Sequence, residues 1–437
     1  MNATRTLPAE TLDGTGLAPA RILTPAPGVD ITRWAVVACD QFTSQPEYWK
    51  SAEAFVGNSP SALNMILPEA FLDAPDSAER ERRVISNMRR TADSGILLPF
   101  FGYALAERRF DSDNGNDNKR PPRVGLIAAV DLEYYDYNAD SSSPIRPTEG
   151  TIAQRLPPRA AIRREAALEL PHIMLLLQDQ ARSVIEPVYA RRGSLRQLYD
   201  APLMLGGGSI KGWAIDNPDD ISAIQSAIRA LPLTGGVRAA VGDGNHSLAA
   251  ARMVWMDTRQ SIPQEQRAAH PLRFALAEVC NVYDEGISFE PIHRIVYGAD
   301  TRAFMESFEA WTADQGGTLS SESLPYGKMI VRVSTEGERP LWISGASQQT
   351  AAGIVQSFLD QWPAIGGGSD AYVDYIHGDD ALRSLASEPN RVGILLPSLD
   401  KSELFPAIAK DGVLPRKTFS MGLAREKRYY LEARKLR

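Results

Sequence analysis

Cysteine and histidine are scarce in this chain of 437 residues, and their scarcity excludes several classes of protein. Cys39 and Cys280 are the only cysteines, too few for a disulfide framework, so a reducing cytoplasm is the predicted compartment. The five histidines include no H-x-x-x-H pair and no C-x-x-C occurs, which argues against a structural zinc site. A G-x-S-x-G elbow is also missing, so a hydrolase triad gains little support.

Long apolar runs and an excess of positive charge are missing as well. The segment "MNATRTLPAETLDG" lacks the apolar core of a signal peptide, and "GILLPFFGYALA" is short and interrupted by Pro99, so no membrane span is expected. The formal net charge of −7 and the pI near 5.5 argue against a general nucleic-acid binder, and no DNA partner is expected. Two local basic stretches remain, at residues 155–165 and in "PRKTFSMGLAREKRYYLEARKLR".

The rest of the chain interleaves strand-like and helix-like segments without a repeat, which predicts an α/β or α+β fold. We expect an extended lead-in over residues 1–30, a nucleotide-binding catalytic lobe over 31–297 and a C-terminal α/β lobe over 298–437. Three local predictions concern "RWAVVACD" as a strand, Ser44 with Glu47 as the capping box of a helix that ends at Gly57, and Asn217 as a helix cap. A polar loop is predicted over Asp111–Pro122.

The segment "VRAAVGDGNHSLAAARM" concentrates polar groups between two apolar elements. Ala239–Val241 predicts a buried strand, Gly242 and Gly244 permit a tight turn, and Ser247 is expected to cap a helix over Leu248–Trp255. A dinucleotide fingerprint is not favoured, because Ser247 replaces the third glycine and no second strand ending in an acid follows.

Backbone N–H groups at a helix N-terminus attract anions, so this turn is a candidate phosphate site. A glycine turn that binds nothing is the alternative. The residues expected to bind phosphate there are Gly242, Gly244, Asn245 and Ser247.

A second unusual segment, "PIRPTEGTIAQRLPPRAAIRRE", is rich in arginine and proline. Pro147, Pro157 and Pro158 predict a nonhelical path on which arginines converge on one ligand. Each charge-assisted bond to phosphate contributes about 1.5–3 kcal/mol, so two or three would outweigh the helix dipole. A solvated basic face is the alternative. The arginines in question are Arg146, Arg155, Arg159, Arg163 and Arg164.

Seven segments of the chain carry a family resemblance: "ACDQFTSQPEYW", "RPTEGTIAQRLPPR", "LPHIMLL", "GDGNHSLAAA", "EPIHR", "DYIHGDD" and "KDGVLPRKTFSMG". Together they resemble domain of unknown function 1015, a family of mostly uncharacterised microbial proteins. The resemblance spans roughly Trp34 to the end. The D-G-x-H box also resembles that of the ParB and sulfiredoxin superfamily, in which the turn binds nucleotide phosphates, and this likeness implies a mixed-sheet core.

The superfamily contains several chemistries, and the residues of this chain discriminate among them. Sulfiredoxins carry a cysteine before the box histidine, where this chain has Asn245. ParB proteins bind DNA, which the acidic balance does not favour. Kinases of free L-serine use an acid in an upstream P-x-E-type segment as base, and Glu149 matches it. Ser247 departs from the arginine that relatives usually have after the histidine.

The resemblance therefore implies a kinase that phosphorylates free L-serine or a similar hydroxyl compound, with ATP or ADP and Mg²⁺. A non-catalytic nucleotide-sensing protein with a macromolecular partner is the alternative, and the oligomeric state is left open. The expected catalytic residues are Glu149 as base, Asp243 for Mg²⁺ or the transferred group, and His246 for orientation. The arginines expected to bind phosphate are Arg155, Arg159 and Arg163, and the expected substrate residues are Asp40, Arg146 and Thr151.

Overall fold

The computed structural model describes residues 14–111, 120–344, 350–362 and 371–437. Residues 112–119 of the predicted polar loop lie outside that range. The chain forms two units: the described residues up to Ile287 together with Gly422–Arg437 form the first, and Ser288–Met421 forms the second. The division thus falls ten residues before the expected one, and the last segment of the chain returns to the first unit.

Strands make up the centre of both units. Those of the first unit are β1 Leu17–Ala18, β2 Ala20–Pro25, β3 Leu97–Arg109, β4 Arg123–Asp131, β5 Ile145–Pro147, β6 Leu168–Glu169, β7 Met174–Leu177, β8 Arg196–Pro202, β9 Ser209–Ile215, β10 Ala239–Asp243 and β11 Phe274–Asn281. The second unit has β12 Phe289–Tyr297, β13 Thr318–Ser320, β14 Lys328–Ser334, β15 Gly337–Ser344, β16 Tyr372–His377, β17 Arg391–Leu395 and β18 Phe419–Met421, and β19 Arg434–Lys435 belongs again to the first.

Helices connect and cover the strands. The first unit has α1 Ile31–Trp34, α2 Pro46–Val56, α3 Ser77–Asp93, α4 Leu156–Glu165, α5 Glu186–Ala190, α6 Pro218–Ala230, α7 Asn245–Thr258 and α8 Gln264–Arg267. The second has α9 Thr301–Asp314, α10 Ala351–Leu359, α11 Asp379–Ala386 and α12 Lys401–Asp411. Among the described residues, none of these helices is both long and apolar enough to cross a bilayer.

The first unit is built on a large mixed sheet, as expected for a mixed α/β protein. Its strand order is β5-β10-β7-β11-β4-β3-β9-β8, with β1 added to β4 and β2 added to β3. The pairs β5/β10 and β7/β11 are parallel, and the other pairs are antiparallel. The expected lead-in over residues 1–30 differs from this arrangement, because β1 and β2 are hydrogen-bonded strands whose residues are mostly buried.

Two helix-end predictions had different outcomes. The Asn217 cap of α6 is confirmed, because its side-chain oxygen accepts a hydrogen bond from the Asp219 N–H over 2.9 Å. Helix α2 ends before Gly57 as predicted, but the Ser44 capping box is wrong. Pro46 takes the first helical position, which moves the N-cap to Gln45.

The predicted strand "RWAVVACD" is also wrong. Its first part belongs to α1, which Asp30 caps by accepting a hydrogen bond from the Thr32 N–H. The part that follows is extended but forms only one isolated bridge, between Val37 and Tyr429. Its partner is therefore the returning C-terminal segment rather than the main sheet.

The second unit has its own sheet and core. Its strand order is β13-β15-β14-β17-β12-β16, with β18 added to β12, and all of these pairs are antiparallel. Aromatic side chains from α9 and α10 pack in the core, including Phe304, Phe308 and Phe358. Because β12 pairs with β16, β17 and β18, it belongs to this unit and not to the preceding lobe.

Candidate functional site

The two segments singled out in the sequence meet at one edge of the first sheet. Strands β5 and β10 are parallel neighbours with Ile145 opposite Ala239 and Pro147 opposite Val241. The carboxyl ends of parallel strands lie at the same edge, so the loop after β5 and the turn after β10 are adjacent. The sequence predicted both segments, and the register explains why they come together.

Two hydrogen bonds join the loop to the turn. The Thr148 hydroxyl donates to the Val241 carbonyl over 2.7 Å, and the Ile152 N–H donates to Nε2 of His246 over 3.2 Å. Glu149, which is half-buried, and Thr151 lie on the loop between these two anchors. The box histidine thus fixes the segment that carries the candidate base.

The glycine turn differs from the prediction in where its helix begins. Helix α7 starts at Asn245, with Gly244 as N-cap at a φ of +78°, and the Gly244 carbonyl accepts the Ser247 and Leu248 N–H groups. Ser247 therefore lies in the first turn, and its predicted capping role is wrong. A β-carbon at Gly244 would stand 3.0 Å from the Ile173 Cα, so glycine is required by both conformation and space.

Asp243 is tied to its own turn and to a distant lysine. Its Oδ1 accepts the Gly244 N–H over 2.9 Å, and its Oδ2 lies 3.4 Å from Nζ of Lys427. The two side chains are only 17% and 10% exposed, so the charges face each other with little water between them. Sequence reasoning missed Lys427, because only the fold brings the C-terminal basic stretch to this turn.

Two buried oxygens at the junction lack partners among the described residues. They are Oγ1 of Thr151, on the loop, and Oδ1 of Asn245, at the start of α7. A buried polar atom without a hydrogen bond costs about 1–3 kcal/mol. A ligand bound between the loop after β5 and the turn after β10 would supply hydrogen-bond partners for these two oxygens.

The predicted nonhelical path of the arginine segment is wrong. Pro157 and Pro158 occupy the first turn of α4, where proline's missing N–H costs nothing. Arg159 forms an ion pair with Glu69, and Arg163 donates to Glu169 over 2.6 Å and to the Phe274 carbonyl over 2.9 Å.

Helix α4 packs against α7 with these arginines already engaged by protein groups. Two others are exposed: Arg155, and Arg164, which pairs with Asp257. The segment therefore combines internal ion pairs with a solvated face, and the structure does not present the arginines as one clamp.

Arg146 lies at the other end of the β5/β10 pair from the glycine turn. The Arg146 guanidinium donates to the carbonyls of Ser143 and Gly235 over 2.8 and 3.3 Å, both of which precede their strands, so it faces the opposite end of the pair. Burial lowers the pKa of that guanidinium. The Asp40 carboxylate accepts a hydrogen bond from the Gln41 side chain over 3.0 Å.

A cavity of about 160 Å³ opens beside α7 and contains an arrangement that sequence reasoning missed. The Ser247 hydroxyl lies 2.7 Å from Nε2 of His172, and Nδ1 of His172 lies 3.0 Å from the Tyr430 hydroxyl. The Cys39 N–H in turn donates to that hydroxyl over 3.1 Å. Burial raises the pKa of the Cys39 thiol to about 11, so the thiol is a poor nucleophile at neutral pH.

Another histidine that accepts a backbone hydrogen bond, His293, lies in the second unit. Nδ1 of His293 accepts the Leu396 N–H over 3.1 Å, which places the ring proton on Nε2, 3.0 Å from the Asp379 carboxylate. Burial lowers the pKa of His293. The "EPIHR" and "DYIHGDD" segments are thus joined within the second unit by the hydrogen bond between His293 and Asp379.

A search of the curated proteins finds no match. Among solved structures, a free serine kinase in complex with AMP is similar at 11% identity and a TM-score of 0.37, over 71% of this chain and 92% of that one. A conserved hypothetical protein from Pyrococcus furiosus is similar at 11% identity and a TM-score of 0.33, over 70% of this chain and 90% of that one. SbnI with a C-terminal truncation, from Staphylococcus aureus, is similar at 10% identity and a TM-score of 0.36, over 68% of this chain and 82% of that one. These similarities are too remote to assign a role to any residue.

The match at the level of sequence is far broader than any single motif. The model of the family described as "Protein of unknown function (DUF1015)" covers residues 17–436, from β1 to the residue after β19. The chain belongs to the DUF1015 family.

Proposed function

We propose that this protein is a nucleotide-dependent kinase of small hydroxyl compounds, with free L-serine as the first candidate acceptor and ATP or ADP as donor. The hydrogen bond from the Ile152 N–H to His246 carries the proposal, because it joins an acid-bearing loop to a helix N-terminus. Phosphoryl transfer requires a proton acceptor and phosphate-binding donors held in a fixed relation. The loop and the turn supply these two kinds of group.

Each element has a separate role in this proposal. Glu149 accepts the proton of the acceptor hydroxyl. The N-terminus of α7, which begins at Asn245 and His246, faces the phosphate and binds it, with Gly242 in the approach to the turn. Lys427, held by Asp243, adds a positive charge at the same turn.

Fewer arginines are proposed to bind phosphate than the sequence predicted. Arg163 and Arg159 are engaged by Glu169 and Glu69, and Ser247 is hydrogen-bonded to His172, so the proposal does not depend on them. Arg155 is exposed and keeps its proposed phosphate role. Asp40 remains the proposed partner of the substrate ammonium group.

Magnesium would be held mainly by nucleotide oxygens. Within the described ranges, no group of three histidine, cysteine or acidic side chains is arranged to hold a metal ion. Mg²⁺ at nucleotide sites commonly uses one or two carboxylates with phosphates and water, and Asp243 is the carboxylate at this turn. Mg²⁺ would neutralise phosphate charge there.

Phosphorus NMR tests the proposal directly. The full chain is incubated with ATP or ADP and Mg²⁺ against a panel of amino acids and hydroxyl metabolites. Consumption of nucleotide that depends on an acceptor, with a new phosphomonoester signal, is the expected result. Nucleotide binding without turnover under varied donors and metals would contradict the kinase and support the non-catalytic sensing alternative.

A further inference from the structure

The cavity beside α7 is mainly apolar, and the paired side chains Arg159 with Glu69 and Arg163 with Glu169 also line it. Its apolar lining includes Met65, Leu67, Val84, Met88, Ile162 and Leu276. An apolar cavity of about 150 Å³ is large enough to hold benzene. The polar groups that line the same cavity include Ser247, His172 and Tyr430. A ligand with an apolar, ring-sized group would therefore bring an attached polar group near these side chains.

The hydrogen bonds around His172 are all satisfied by one arrangement of protons. If the Ser247 hydroxyl donates to Nε2, the ring proton is on Nδ1 and donates to the Tyr430 oxygen. That oxygen also accepts the Cys39 N–H, and the Tyr430 hydroxyl is left to bond the Cys39 side chain. In this arrangement Nε2 is the basic nitrogen and faces a hydroxyl.

A nucleophile, a base within hydrogen-bond reach and a third group that orients the base are the signature of covalent catalysis. Ser247 also lies in the first turn of α7, where the helix dipole favours negative charge that develops in a transition state. Both residues are only partly buried and line an open cavity, so a small molecule can reach them.

We propose that Ser247 and His172 form a nucleophile and base that react with carboxylic esters whose acyl group is apolar and ring-sized. The Ser247 oxygen bonds to the acyl carbon while its proton passes to Nε2 of His172, the ester C–O bond breaks, and the leaving alcohol takes that proton. Water then hydrolyses the acyl-serine and restores the hydroxyl. Tyr430 is a positioning residue that orients His172.

Phenylmethanesulfonyl fluoride is the probe that tests the proposal on the full chain. The expected result is one adduct on the peptide that contains Ser247, through loss of fluoride and formation of an oxygen–sulfur bond. Methanesulfonyl fluoride, which lacks the ring, should react more slowly, and protein unfolded in urea should lose the selectivity. These measurements need no variant and therefore do not depend on the folding of a mutant.

Variants separate the roles of the three side chains. Ser247→Ala should abolish the adduct, and His172→Gln should slow its formation about 100-fold or more. Tyr430→Phe should lower the maximal labelling rate without changing the half-saturating probe concentration. Ser51→Ala, at an exposed helix serine, is the control and should label as the parent does.

Turnover is followed with 4-nitrophenyl phenylacetate, which should release nitrophenolate in the parent and not in Ser247→Ala. An adduct elsewhere, no adduct, equal labelling by both sulfonyl fluorides, or equal rates in folded His172→Gln would overturn the proposal. In that case the chain of hydrogen bonds is a structural link between α7 and the C-terminal segment.

Discussion

Nζ of Lys427 lies 3.4 Å from Oδ2 of Asp243, so the C-terminal segment supplies a cation to a turn far away in the sequence. Both side chains are mostly buried, and the other carboxylate oxygen is occupied by the Gly244 N–H. The turn of the D-G-x-H box is therefore not formed by the box alone.

Lys427→Met should destabilise the protein because it leaves the Asp243 carboxylate without its cation. We expect a loss of about 1–3 kcal/mol in the free energy of unfolding, measured in urea. The double variant with Asp243→Asn should lose less than the sum of the two single variants, by roughly 0.5–3 kcal/mol. Strict additivity would show that the two groups do not interact.

Glu149→Gln should keep nucleotide binding within a few-fold but lose most acceptor-dependent turnover, by roughly 10²–10⁴-fold, because the amide cannot take the proton. Glu165→Gln is the matched control, since that glutamate is exposed and pairs with Arg89 at the surface. Rates are measured by phosphorus NMR under saturating nucleotide. Nearly full activity in Glu149→Gln would remove this residue from the role of base.

His246→Ala should loosen the loop, because the Ile152 N–H loses its acceptor. We expect faster amide hydrogen exchange at Ile152 and weaker nucleotide binding. His270→Ala provides a matched control, because Nδ1 of His270 likewise accepts a backbone N–H, from Leu272. If both variants bind nucleotide as the parent does, the joining of loop and turn does not matter for binding.

Arg163→Lys should lower stability without changing nucleotide affinity. Burial opposes ionisation of Glu169, but Arg434 and Arg163 outweigh it and hold the pKa of that carboxyl below its usual value. Lysine cannot reach both Glu169 and the Phe274 carbonyl with a planar fork, so we expect a loss of about 1.5–3 kcal/mol. Arg164→Lys is the control, since this exposed arginine pairs with Asp257 at the surface, and it should leave the free energy of unfolding unchanged. Weaker nucleotide binding by Arg163→Lys would contradict the prediction and show that Arg163 binds phosphate.

The second unit should lose stability as the pH falls below about 6.5. Burial lowers the pKa of His293 from 6.5, so the unfolded chain binds the proton more readily and acid favours unfolding. Protonation at Nδ1 would also break the bond from the Leu396 N–H. Exchange of the Leu396 amide should therefore accelerate on acidification in the parent, and a similar rate at pH 5 and pH 7.5 would contradict this.

Local patterns predicted the strand–turn–helix character of residues 239–258 and the cap of α6, because these depend on neighbours in sequence. The start of α7 was misplaced because a left-handed glycine, and not the serine, ends the turn. The arginine segment was predicted to be nonhelical because proline disfavours a helix interior. Proline is well suited to the first turn of a helix, which is where Pro157 and Pro158 lie in α4.

The rest of the candidate site depends on contacts between distant segments. Lys427 reaches Asp243, and Tyr430 reaches His172, only after the C-terminal segment has returned to the first unit. Sequence motifs relate residues that are a few positions apart, and neither Lys427 nor Tyr430 belongs to a motif that would link it to Asp243 or His172. The pairing of β5 with β10 was not predicted from the sequence, because the arginine- and proline-rich segment gave no sign of a strand at Ile145–Pro147.

Because Gly422–Arg437 belongs to the first unit, that unit cannot be completed until the end of the chain has been synthesised. The backbone of Tyr430 bonds to Val36, and Ala433 exchanges hydrogen bonds with Leu23, so the first unit is completed by residues synthesised after the whole of Ser288–Met421. All residues of the second unit are synthesised before this last segment of the first unit. A chain truncated before Gly422 would leave the backbone groups of Val36 and Leu23 without these partners, and we expect it to be cleaved by proteases faster than the full chain.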